Sequence, residues 1–106
     1  MGHILGIDFD DTLAAYEGPG RGELGGPIAG GRAAIEHFAA RGFEPYILTA
    51  RPDLREIRAW LKTHGFPPMI VTHTKLSADV YVDDRAFRFR AWDWTSIERI
   101  KQLAKE

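Results

Sequence analysis

At 106 residues the chain has room for one domain with a modest core, and 44% hydrophobic residues exclude a disordered polymer. A formal net charge of −1 gives no overall pull toward nucleic acid or membrane, and the absence of cysteine removes disulfides, thiol nucleophiles and thiolate metal sites. No apolar run is long enough to span a bilayer and no signal peptide is visible, so the expectation is one soluble, cytoplasmic domain over residues 1–106.

The run Ile4–Phe9 reads as a buried strand that stops abruptly at Asp10-Asp11-Thr12. Side chains alternate along a strand, so Asp8 and Asp10 leave on the same side. Two carboxylates this close repel, and something must offset that: a proton held on one, or a cation between them. Residues 14–27 follow with five glycines and two prolines. They make a loop, and the stretch 13–29 is read as a flap over or beside the carboxylates.

A first helix is expected from about Gly30 to Arg41, with Ile35, Phe38 and Ala39 on one face and Gly42 as its stop. His37 within it reads as a surface or boundary histidine. A second strand, 45–49, ends at Thr49. Asp53 reads as the N-cap of a second helix, with Glu56 as capping-box partner. That helix carries Leu54, Ile57, Leu61 and His64 on one face beside Trp60. Gly65 and Pro67-Pro68 end it. Short strands are expected at 69–72 and 79–82, the latter ending in Asp83-Asp84, with a fifth at 86–89. The last helix starts near Trp94, with Thr95 and Glu98 as a capping box and a buried stripe of Ile97, Ile100 and Leu103. Trp60, Trp92 and Trp94 are expected to fill core or boundary space.

Strands alternating with helices point to an α/β fold with a mainly parallel central sheet. In such sheets the site lies beyond the carboxyl ends of the strands. Asp8, Asp10, Asp11, Thr49, Asp83 and Asp84 all stand at strand ends, and Lys75 precedes the fourth strand. Oxygen donors without soft ligands select a hard cation, with Mg²⁺ the first candidate. A lysine and a hydroxyl suit phosphoryl oxygens. One carboxylate can attack phosphorus while a second carries the proton. The residue types alone thus point to metal-dependent phosphoryl chemistry.

Asp8-Phe9-Asp10-Asp11-Thr12 resembles the first motif of the haloacid dehalogenase superfamily, DxDx(T/V). Thr49, Lys75 and Asp83-Asp84 are similar to its second, third and fourth motifs, in the same order. The resemblance implies a Rossmann-like, three-layer fold and a Mg²⁺-dependent phosphomonoesterase. Asp8 would be the nucleophile and Asp10 the general acid and base. Thr49 and Lys75 would hold the phosphoryl group, and Lys75 would also restrain Asp8. Mg²⁺ would bind the Asp8 carboxylate, the Asp10 backbone carbonyl and Asp83, with Asp84 assisting through water. Thr12 would support the motif's turn. Asp11 stands where the family often has Gly and reads as a turn residue. There is no room for an inserted cap domain. The resemblance therefore implies an open site, and with it either a homo-oligomer or large substrates.

The substrate expectation is a phosphorylated small molecule or a nucleic-acid end, with no membrane partner. Asp11, Arg51 and Arg85 are the candidate substrate contacts, and His73 lies near the site without an assigned role. The Asp83-Asp84-Arg85 ending with Trp92 downstream resembles the phosphatase domains of polynucleotide kinases, and Arg85, Arg88 and Arg90 follow the acids interleaved with Phe87 and Phe89. A half-exposed edge strand explains the same pattern more simply. Two rivals of another class stand beside the enzyme. A receiver-type phospho-acceptor module would place its acids and lysine in a different order. A non-catalytic binding domain on the same fold would keep the motifs without turnover.

Overall fold

The computed structural model describes residues 3–16, 24–86 and 90–105. In chain order these form β1 (His3–Asp8), α1 (Gly31–Ala40), β2 (Phe43–Leu48), α2 (Leu54–Thr63), β3 (Ile70–Thr72), β4 (Val80–Val82) and α3 (Trp94–Lys105). The strands make one sheet in the order β3-β2-β1-β4, and every pairing is parallel. This is the expected α/β, Rossmann-like arrangement, with no cap domain among the described residues. No helix among them is long and apolar enough to cross a membrane.

Register places the core. Ile7 pairs with Ile47 on one side and Val82 on the other, and Ile47 pairs with Val71. Residues in register share a face of the sheet. Leu5, Ile7, Ile47 and Val71 therefore present one apolar face, which packs with Ile35 of α1 and Ile57, Trp60 and Leu61 of α2. Phe9, just past β1, is fully buried and meets Trp60 edge-on at 4.9 Å between ring centroids. Each such side chain contributes about 1.5–3 kcal/mol of burial. Asp53 caps α2 as expected, its carboxylate accepting from the Arg55 N–H at 3.0 Å. Gly65, at φ 76°, ends that helix.

Among the described residues no helix packs on the opposite face. The third connection, from β3 to β4, must return across β2 and β1 in seven residues, 73–79. It has no length for a helical crossover, and β3 is itself only three residues long. The segment instead lies across a row made by Tyr46, Gly6 and Tyr81, which pair in register. Gly6 is what lets the two rings and the segment close: a Cβ there would stand 2.8 Å from the Tyr46 hydroxyl and 2.8 Å from Tyr81 Cδ1.

The C-terminal expectations need correction. α3 is capped by Asp93, whose carboxylate accepts from the Ser96 N–H at 2.7 Å, and not by Thr95. Asp93 stands one residue before the helix and reaches its third N–H, so the cap lies upstream of the Thr95–Glu98 pair. Among the described residues α3 packs against no other helix or strand. Ile97, Ile100 and Leu103 are accordingly only half-buried. Trp92 and Trp94 are each 76% exposed, whereas Trp60 is in the core. The expected fifth strand falls largely on residues 87–89, outside the described residues.

Gly6→Ala tests the crossing segment. Overpacking at this row is expected to cost about 1–3 kcal/mol, read as a lower urea midpoint with an unchanged slope.

Candidate active site

Parallel register delivers the acids together. Because Ile7 opposes Val82, Asp8 and Asp83 leave adjacent strands one residue later, and Asp8 also opposes Leu48, the residue before Thr49. Alternation turns Asp8 to the face of Gly6, away from the core. Oxygens of Asp8, Asp83 and Asp84 all lie within 4.8 Å of one another. Asp83 is fixed by accepting from the Arg85 N–H at 2.8 Å. Burial, then the charges of Asp83 and Asp84, with a smaller push from Asp10, raise the Asp8 carboxyl to about 6; the Phe9 N–H opposes this.

Two cavities meet at Asp8, Thr49 and Ala50. One, of ≈ 350 Å³, is acidic: Asp8, Asp10, Asp83 and Asp84 line it, with Tyr16 and Arg85 also on its wall. The other, of ≈ 470 Å³, is lined by Thr49, Pro52, His73 and Lys75. Thr49 is buried, its N–H donating to the Thr72 carbonyl at 3.0 Å and its Oγ1 accepting from the Arg51 N–H at 3.1 Å. Its hydroxyl proton is left to donate. The Lys75 ammonium rests on the Tyr81 ring, 4.4 Å from its centroid, rather than on the Asp8 carboxylate.

Asp10 goes elsewhere. Arg51 grips its carboxylate through Nε at 2.9 Å and Nη2 at 2.9 Å, a half-buried two-pronged pair. The hydrogen bonds to Asp10 hold the guanidinium above its ordinary value, against the cost of burial. Arg51, expected as a substrate contact, is thus committed to Asp10, and the Asp10 side chain is not part of the three-carboxylate cluster. The turn around Arg51 is fixed by His73, whose Nε2 lies 2.6 Å from the Arg51 carbonyl. That bond needs the Nε2–H tautomer.

Asp11 has φ 59°, a left-handed conformation that Asp tolerates, and its carboxylate accepts from the Tyr16 N–H at 2.8 Å. It is a turn residue at the rim of the acidic cavity. Thr12, expected to support this turn, does not do so through its hydroxyl. Oγ1 is buried with no hydrogen-bond partner, and the turn is closed by the Thr12, Leu13 and Ala14 N–H groups donating to the Phe9 carbonyl. The flap's two ends are joined: the Ala15 N–H donates to the Gly26 carbonyl at 2.9 Å and the Ile28 N–H to Leu13 at 2.8 Å. Residues 17–23 of the flap lie outside the described residues, as do Phe87, Arg88 and Phe89 of the Arg/Phe stretch.

Sequence reasoning missed Tyr16, Tyr46 and Tyr81. Only Tyr46 and Tyr81 had a signal, the glycine at mid-strand position 6, which marks close approach.

No family model matches the chain, and no curated protein matches it. A solved structure, that of a conserved protein coded by a locus of Bacteroides thetaiotaomicron, superposes with a TM-score of 0.69 at 19% identity. The match covers 100% of this chain and 94% of that one. At this identity the likeness shows the fold alone.

Asp8 should titrate near 6 in metal-free protein, visible by carboxyl-carbon NMR. The folded value lies above the ordinary 3.8, so folding favours the protonated form. Its contribution to stability is therefore full below 3.8 and lost as pH rises through about 6. Denaturant midpoints across this window should show the loss in wild type and not in Asp8→Asn.

Proposed function

We propose that the chain is a Mg²⁺-dependent phosphomonoesterase that works through an aspartyl phosphate on Asp8, as a capless haloacid dehalogenase-type enzyme. The observation that carries this reading is the meeting of Asp8, Asp83 and Asp84 within 4.8 Å, beside Thr49 and Lys75, at the carboxyl ends of a parallel sheet. A set of oxygen donors in which burial, and then the neighbouring carboxylates, push one carboxyl up to about 6 is a set that a hard cation would relax. The carboxylates of Asp8 and Asp83 would hold Mg²⁺, with Asp84 assisting and the Asp10 backbone carbonyl as a further donor. When bound, the cation supplies positive charge for the phosphoryl oxygens.

The chain's own residues supply the rest. An Asp8 oxygen attacks phosphorus, the bond to the leaving oxygen breaks, and Asp10 donates its proton to that oxygen. Asp10 then takes a proton from water, whose oxygen attacks phosphorus. Inorganic phosphate leaves and the Asp8 carboxylate is restored. The Thr49 hydroxyl and the Lys75 ammonium bind phosphoryl oxygens from the second cavity. Arg51 sets the direction of the Asp10 carboxylate, which lines the acidic cavity.

The test is release of inorganic phosphate from an aryl phosphate with and without Mg²⁺. Asp8→Asn should abolish release, and Lys75→Ala should lower it by about 10²–10³. Unchanged hydrolysis by Asp8→Asn would sink the mechanism. A long-lived acyl phosphate without turnover would favour the phospho-acceptor module instead. Arg51→Lys keeps the charge but loses the fork, and kcat is expected to fall roughly 10²-fold with little change in KM.

A further inference from the structure

We infer that Tyr46 and Tyr81 are positioning residues, a pair of hydroxyl clamps that hold the crossing segment 73–79 and thereby set where Lys75 enters the cavity beside Asp8. The inference rests on the phosphohydrolase reading for its catalytic consequence, and on geometry alone for the clamp.

The clamp is built from four hydrogen bonds to one short piece of backbone. The Leu76 N–H donates to the Tyr46 hydroxyl at 3.1 Å, and that hydroxyl donates to the Leu76 carbonyl at 3.0 Å. The Tyr81 hydroxyl donates to the same carbonyl at 2.6 Å and accepts from the Ala78 N–H at 3.1 Å. A seven-residue segment crossing two strands has no length for a helix of its own and reaches the sheet's backbone only at its end, where the Asp79 N–H donates to the Ile4 carbonyl, so the polar backbone before that must find other partners. Two tyrosines rising from β2 and β4 provide them, and Gly6 between them on β1 leaves the space.

Lys75 immediately precedes Leu76, so the clamp fixes the residue that carries the ammonium. Tyr81 acts on it a second time, because its ring lies under the ammonium at 4.4 Å. The lysine is thus held at both ends, its backbone by the hydroxyls and its charge by a π face. It stays at the wall of the cavity it shares with Asp8 and Thr49. The entropy of ordering a long side chain on a short loop is met in advance by the fold, which is where positioning gains rate.

The experiment uses Tyr46→Phe and Tyr81→Phe, which keep the rings, and Tyr81→Leu, which removes one. Phosphate release is measured for each, alone and combined with Lys75→Ala. In the wild-type background both Phe variants should lower kcat/KM roughly 10- to 100-fold. In the Lys75→Ala background the same changes should cost little, since there is no ammonium left to position. Equal losses in both backgrounds would overturn the inference and leave the tyrosines merely structural. A second readout needs no activity. Proton NMR should show the Lys75 side-chain methylene signals shifted upfield by the Tyr81 ring, a shift lost in Tyr81→Leu, and faster amide exchange at Leu76 and Ala78 in the Phe variants. An unshifted Lys75 in wild type, or unchanged exchange, would overturn the clamp. If wild type releases no phosphate, the phosphohydrolase reading fails, and the NMR arm still decides the clamp by itself.

Discussion

The structure depends on the pairing of Ile7 with both Ile47 and Val82. Ile7 and Ile47 of this row face the core, so hydrophobic burial locks the register, and Val82 at the sheet edge follows it. A slip of one residue would turn Ile7 outward and drive Asp8 into the apolar layer. Burial of a few aliphatic side chains therefore fixes the position of charges that, left to themselves, would separate. Asp8, Asp83 and Asp84 meet because the next row is obliged to follow the one before it.

The same sheet answers three electrostatic problems in three ways. The carboxylate cluster is left crowded, and burial together with the charges of Asp83 and Asp84 raises Asp8. Asp10 is relieved by a fork from Arg51, 41 residues away in sequence. Lys75 is placed on an aromatic face instead of against an acid. Among the described residues only the first is left partly unanswered, with the Arg85 guanidinium 3.9 Å from Asp84 as its cation, and it lies where the two cavities meet. Charge left uncompensated beside an opening is how a protein holds free energy for a ligand.

Much of this was legible in the residues. The apolar run ending in Asp8 fixed a strand, and the parallel α/β arrangement followed from alternation of strand and helix. Asp53 and Gly65 marked their helix ends by local chemistry that works at short range. The gathering of Asp8, Thr49 and Asp83 followed from the rule that such sheets place polar residues at carboxyl ends. What failed was long-range or competitive. Nothing local told that Arg51 would seek Asp10. Thr95–Glu98 matched a cap pattern, yet Asp93 stood earlier and took the Ser96 N–H. The apolar stripe of α3 and the two late tryptophans matched a core pattern, yet among the described residues α3 packs against no other helix or strand and both tryptophans are exposed. Periodicity states which face could be buried, not whether anything arrives to bury it.

The flap's base has a consequence for how this fold can change. Ala15 and Gly26 are tied by a backbone hydrogen bond, and the Trp60 indole N–H reaches over to the Gly25 carbonyl at 2.9 Å. Gly25 approaches so closely that a Cβ would run into the Ala15 carbonyl. The two stems are therefore a socket whose closure the core already supplies. Lengthening what it holds costs only about 0.6 kcal/mol per doubling. Sequence grafted between these stems would arrive beside Asp10 without disturbing the sheet. The chain has, in effect, a standing port through which a longer segment could be acquired while the sheet beneath it stays the same.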